Sequence, residues 1–195
     1  MRKREKVFLS VLVIAALGSL TALGVFGLFT ATTQNSGNEI STGTVAFTDN
    51  DSGSALYNVT GAKPGDSVTK CIKTTYTGTL ASDVHLYTTS TAGPLAQYID
   101  LVITQGTQSS STFPDCTGFT ADATGVIYNG TLSAFESAKN NYANGIVTQP
   151  ASQTGWSPGN SLVYKIQATL QSATPDSGQG STSGSHTFIW EARNE

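Results

Sequence analysis

Beyond the turn at Pro158-Gly159 the chain alternates without a break, with Leu162, Tyr164, Ile166, Ala168 and Leu170 on one side and Val163, Lys165, Gln167 and Thr169 on the other. A period of two marks a strand with one buried face, because successive side chains leave a strand in opposite directions. The same pattern recurs at shorter length. Pro64-Gly65-Asp66 opens a run in which Val68, Ile72 and Tyr76 oppose Thr69, Cys71 and Thr75, and Val84 and Leu86 alternate within Asp83–Tyr87. Ile99, Leu101 and Ile103 share a face within 99–104, 125–132 forms a further short run, and Phe188 and Trp190 point inward within 186–192. Val45 and Phe47 alternate near the start. Short strands separated by turn residues predict an all-β chain folded as a jelly-roll-like antiparallel β-sandwich.

One short helix interrupts the strands. Ser133-Ala134-Phe135-Glu136 has the spacing of a capping box, with Ser133 as the cap and Leu132, Phe135 and Tyr142 as an apolar stripe ending at Asn144-Gly145. It is expected to cover one end of the sandwich. The segment 106–115 is rich in Ser, Thr and Gln and reads as a surface loop, as does the Gly/Ser-rich 175–185. Asp49-Asn50-Asp51-Ser52-Gly53 reads as a turn whose carboxylates serve their own backbone. Asp-x-Asp also opens calcium loops, but the downstream bidentate Glu is missing.

The N-terminus sets the compartment. Arg2, Lys3, Arg4 and Lys6 precede an apolar run from Val7 to Ala31, and a polar stretch from Thr32 to Ser41 comes after it. The basic residues hold the cytoplasmic side while the apolar run enters the bilayer, so the chain beyond Ala31 is delivered across the membrane. The run is long enough to span a hydrocarbon core of about 30 Å as a helix, so retention as an anchor competes with cleavage after Ala31. The expected organisation is a signal peptide or hydrophobic helix over 1–31, an extended segment over 32–43 and one sandwich domain over 44–195. Losing the leader removes four of the ten bases and one of the thirteen acids. The acidic remainder argues against nucleic acid as a partner. Only 12% of residues are charged, which suits a Ser/Thr/Gly-rich exported β protein better than a helical cytosolic enzyme.

Cys71 and Cys116 are the only cysteines. Export favours their pairing, and closing a loop of this length stabilises a fold by roughly 4 kcal/mol on chain-entropy reasoning. Little else offers chemistry. His85 and His186 belong to no His-Glu-x-x-His pair, and neither a nucleophile elbow nor a phosphate-cradling glycine loop is present. No catalytic, cofactor-binding or metal-binding residue is assigned. Tyr76, Tyr164, Phe188 and Trp190 read as core, whereas Tyr57, Tyr87, Tyr98 and Trp156 are candidates for a subunit interface. Asn50, Asn58 and Asn129 open Asn-x-Ser/Thr triplets, which arise readily by chance in a Thr-rich chain.

Several of these segments, taken in order, resemble the TasA/camelysin family of exported proteins. They are the leader leaving through Phe29-Thr30-Ala31, Ser41-Thr42-Gly43-Thr44-Val45, Pro64-Gly65-Asp66-Ser67-Val68, Gly78-Thr79-Leu80-Ala81-Ser82-Asp83-Val84 and Thr187-Phe188-Ile189-Trp190-Glu191-Ala192-Arg193-Asn194. The resemblance implies a jelly roll, release by a dedicated signal peptidase, and self-assembly head to tail into extracellular fibres of a biofilm matrix. In such fibres the mature N-terminal segment of one subunit is donated as a strand to the next. The candidate donor strand contains Thr32, Thr33, Gln34, Asn38, Glu39, Ile40, Ser41, Val45 and Phe47. A free extended peptide can satisfy the unpaired main-chain groups of an open sheet, and a head-to-tail contact that does not close yields filaments. Camelysin members are also classed as metallopeptidases, but two separated histidines without a zinc motif do not carry that activity over. The expectation is therefore a non-enzymatic, secreted matrix subunit that touches membrane only through its leader before cleavage. Two alternatives remain: a secreted camelysin-like metallopeptidase, and a surface binding module that retains its leader as an anchor.

Overall fold

The structure is a computed structural model and describes residues 42–110 and 112–194. The leader, its candidate cleavage point Ala31 and the donor-strand candidates from Thr32 to Ser41 lie outside the described residues. The folded unit begins at Thr42.

Among the described residues, eight strands form two antiparallel sheets. Strands β1 (Phe47–Asp49), β2 (Ser67–Tyr76), β3 (Asp83–Tyr87), β4 (Ile99–Gln108), β5 (Phe119–Thr131), β6 (Ile146–Thr148), β7 (Ser161–Leu170) and β8 (Ile189–Arg193) come in chain order among the described residues, with an α-helix, α1 (Leu132–Ala138), after β5. The five-stranded sheet runs β1-β2-β7-β4-β5 and the three-stranded sheet β6-β3-β8. The long alternating run is β7, and it lies between β2 and β4, with Ile72 opposite Tyr164 and Ile103 opposite Ile166. A central strand needs an apolar face and gets one: Leu162, Tyr164 and Ile166 are buried with Ile72, Tyr76, Leu101 and Ile103 from its neighbours. Val84 and Leu86 of β3 close the core from the other sheet, and the Tyr164 and Trp190 rings meet across the sandwich at 5.0 Å.

Both turns behave as their residues dictate. Gly65 sits at φ 96°, a left-handed angle that a Cβ resists, while Asp66 folds its carboxylate back onto the Lys63 N–H at 2.8 Å. In the Asp49–Gly53 turn, Asp49 accepts from the Asp51 N–H and Asp51 from the Gly53 N–H.

Several expectations need correction. Strand β4 continues through Gln108, where a loop from Gly106 was expected, and β5 begins at Phe119 instead of Gly125. The polar residues there pair through their backbones, Gly106 with Ala121 and Gln108 with Phe119, so the strands persist where hydrophobic alternation has stopped. The helix is capped two residues earlier than its pattern suggests. Thr131 is the cap, its hydroxyl accepting from the Ala134 N–H at 3.2 Å, and Ser133 lies inside the helix. The helix ends at Ala138, so Tyr142 is not part of its stripe. Strand β8 starts at Ile189, which leaves His186 in the preceding segment. Trp156 is fully buried core with its ring 5.0 Å from Phe47, not an exposed interface residue.

Candidate functional site

The features most able to act are the sheet edges, because the side chains that carry chemistry are scattered. Strand β1 is three residues long and covers only the end of β2, from Phe47 opposite Tyr76 to Asp49 opposite Thr74. At the other sheet the last strand is β8. Its Trp190 and the preceding Phe188 pack inward, Trp190 on Tyr164 and Phe188 5.8 Å from Phe135, yet both remain partly exposed. The Trp190 indole N–H, the Tyr164 hydroxyl and the Thr74 hydroxyl lie buried without closing a hydrogen bond. Burial raises the tyrosine's pKa far above its ordinary value and keeps it neutral. The β8 side is thus an edge strand beside an aromatic core that its own sheet does not fully cover.

On the outer face of β3 and β8 a ladder of rings and charges ties the edge strand down. His85 stacks on Tyr142 at 4.1 Å and 7°, and its Nδ1 lies 2.7 Å from the Tyr142 carbonyl oxygen. Arg193 lies 3.9 Å from the Tyr142 ring centre and donates to Glu191 at 2.7 Å, while the Tyr87 hydroxyl donates to the other Glu191 oxygen at 2.6 Å. These two donors, Tyr87 first, hold the Glu191 carboxyl below its usual range. The arrangement is structural: the imidazole, the carboxylate and the guanidinium are each engaged by protein groups. Replacing His85 with Ala is expected to lower stability by no more than about 1 kcal/mol, read as a small shift of the urea midpoint at constant slope.

A second cluster lies around α1. Tyr57 Oη and His186 Nε2 are 2.6 Å apart, while His186 Nδ1 and both Glu136 carboxylate oxygens are buried with no hydrogen-bond partner. Burial lowers the His186 pKa, raises that of Glu136, and with the nearby Glu136 charge raises that of Tyr57. All three groups are therefore pushed toward their neutral forms. No local pattern reveals this cluster, because the three residues come from distant segments. By spacing alone Glu136 reads as a capping partner facing the helix start.

A groove of about 520 Å³ lies between Ala81–Asp83 and 152–157. Trp156 contributes to its lining, and Asp83 is the one ionisable side chain there. A single carboxylate supplies neither an acid–base pair nor a nucleophile and its base.

The residues singled out by the sequence occupy different parts of the domain. Cys71 and Cys116 are bonded to each other across 45 positions. Val45 is exposed, and Phe47 packs on Tyr76 and Trp156 of its own domain. Of the three glycosylation triplets, Asn58 and Asn129 are exposed, whereas the Asn50 side chain accepts from the Lys73 N–H.

A family model described as camelysin metallo-endopeptidase matches residues 3–100. A search of curated proteins finds no match. The family description implies a metal ion, which needs several converging donors. Among the described residues no three of His, Cys, Asp and Glu are placed to hold one. The His85 Nδ1 contact to a main-chain carbonyl and the His186 Nε2 contact to Tyr57 further limit what each imidazole can offer. The described residues do not fit a metal centre, and no catalytic step is derived from one.

Proposed function

The chain belongs to the camelysin metallo-endopeptidase family, and from that premise we propose that it is an exported structural subunit which polymerises by strand donation at the cell surface. The observation that carries this reading is the β8 edge, an end strand whose inward Trp190 and Phe188 are left partly uncovered. An added strand would extend the β6-β3-β8 sheet, cover those rings and satisfy main-chain groups that a sheet edge leaves open. The donor is the N-terminal segment of a neighbouring copy, freed by signal peptidase after Ala31.

Contacts within the domain favour a donor that ends before Thr44. Thr44 is engaged by its own domain, its N–H donating to the Thr79 hydroxyl at 2.9 Å and its carbonyl accepting from the Thr79 N–H at 2.8 Å. Phe47 fills its own core. The donated segment is accordingly 32–43, and Val45 and Phe47 belong to the acceptor domain of their own chain.

Deleting 32–43 from the exported chain should leave a folded monomer, while the intact chain assembles; light scattering and electron microscopy read the difference. Fibres from the truncated chain would remove strand donation from consideration. A mature N-terminus at Met1 by mass spectrometry would favour the anchored alternative. Chelator-sensitive casein cleavage, lost on substituting His85 or His186 with Ala, would restore the peptidase reading.

A further inference from the structure

From Thr75 to Cys71 the outer edge of β2 is covered by three different devices in turn. In an antiparallel strand the N–H and C=O of one residue point to the same side and those of the next residue to the other. The odd-numbered residues of β2 face outward. Thr75 is opposite Thr48 of β1, and Lys73 exchanges bonds with Asn50, its N–H donating to Asn50 Oδ1 at 2.9 Å and its carbonyl accepting from the Asn50 N–H at 3.2 Å. The next outward residue, Cys71, donates its N–H to the Pro114 carbonyl at 3.1 Å. Pro114 lies on no strand. It belongs to the 112–117 segment, which Cys116 fastens to Cys71 and which the Gln108 side chain braces by donating to the carbonyls of Asp115 at 2.8 Å and Thr117 at 3.0 Å. Beyond Cys71, Thr69 and Ser67 are exposed, and no backbone of another described element covers their outward edge.

We propose that the outer edge of β2 from Ser67 to Cys71 is a latent strand-pairing surface for a second copy of this chain, and that the Cys71–Cys116 bond keeps it closed by holding the Pro114 segment across its end. The bond thus acts as an edge guard besides restricting the unfolded chain. Sheet edges invite pairing with other chains, and covering them with a loop is a general way to prevent it.

The strand is its own best partner. Antiparallel pairing of two copies about a two-fold axis at Thr69 places Thr69 opposite Thr69, Ser67 opposite Cys71 and Val68 opposite Lys70. Threonine pairs across strands favourably, and this register keeps the two Lys70 charges from facing each other. A two-fold contact closes on itself, so the product is a dimer, unlike the open chain of contacts that strand donation produces. The inference is therefore independent of the filament reading and separable from it by mass.

The test compares the exported chain with Cys71→Ser/Cys116→Ser, each with and without Thr69→Pro. The Thr69 N–H faces outward, so proline removes an edge donor without taking a bond from the β2–β7 ladder. The guardless variant is expected to gain a species of twice the mass by analytical ultracentrifugation. In the new species the position-71 amide, released by Pro114, should pair with the Ser67 carbonyl of the second copy, so that it and the Thr69 amide are both protected from hydrogen exchange. Adding Thr69→Pro should abolish the new species. Should the double variant fail to fold, the folded parent can be treated with a dithiol, which delivers two electrons and two protons, becomes a disulfide itself and leaves two thiols. By either route, an unchanged mass, or a new species indifferent to Thr69→Pro, overturns the proposal.

Discussion

Replacing Trp156 with Ala is expected to cost about 3–5 kcal/mol, a large part of the roughly 5–15 kcal/mol by which domains of this size are stable. The residue is wholly buried and joins three parts of the fold. Its indole N–H donates to the Thr148 carbonyl of β6 at 2.7 Å, its backbone exchanges two bonds with Ser82 just before β3, and its ring meets Phe47 of β1 edge-on. Truncation opens a cavity at the start of the sandwich and leaves the Thr148 carbonyl without its donor. Trp156→Phe separates the two effects. It keeps most of the volume and loses the hydrogen bond, so it should fall between the parent and Trp156→Ala in urea midpoint. If both variants match the parent, Trp156 does not join β1 to the rest. Phe47 depends on this ring, so a weakened Trp156 also frees the chain around Thr44 and enlarges the segment available to a neighbour.

The burial of Trp156 shows where sequence alone stops. It sits next to Ser157-Pro158-Gly159, in a context rich in turn residues, and turns are ordinarily exposed. Its burial is decided by Phe47 and Thr148, residues more than a hundred positions before it and eight before it, whose proximity no local pattern encodes. Strands β2, β3 and β7 were legible because one face of each must be apolar, and the polar face comes with it by alternation. The second half of β4 and the first half of β5 were not, since Thr107, Gln108 and Thr120 obtain their strand geometry from backbone pairing between the two strands. The Cys71–Cys116 pair was legible from composition, but its place across the β2 edge was not. That place depends on β1 stopping at Asp49.

The helix carries the second large effect, and it is a gain. Glu136 is buried, with both carboxylate oxygens unpartnered, on a helix whose actual cap is Thr131. Burial disfavours the charged form and raises its pKa from the ordinary 4.5. A carboxyl that holds its proton more tightly when folded contributes stability that is fully present below its ordinary value and is lost as pH rises through the raised one. At neutral pH the folded chain therefore bears either an ionised group in a poor setting or the work of keeping it protonated. Glu136→Gln, which fixes the uncharged form, should be more stable than the parent at neutral pH, read as a higher urea midpoint. The gap should close as pH falls below 4.5. His186 runs the other way: burial lowers its pKa from 6.5, so its contribution is present above that value and is lost as pH falls toward the lowered one. The groups facing this cluster are Tyr57, held neutral by its raised pKa, and Glu136 itself. Urea midpoints of the parent, Glu136→Gln and His186→Phe across the acid-to-neutral range decide the matter. An equal midpoint difference between parent and Glu136→Gln at every pH would mean that the Glu136 carboxyl is as well solvated folded as unfolded. If instead the difference grows with pH, the buried acid near Tyr57 costs the fold stability that a different residue would not.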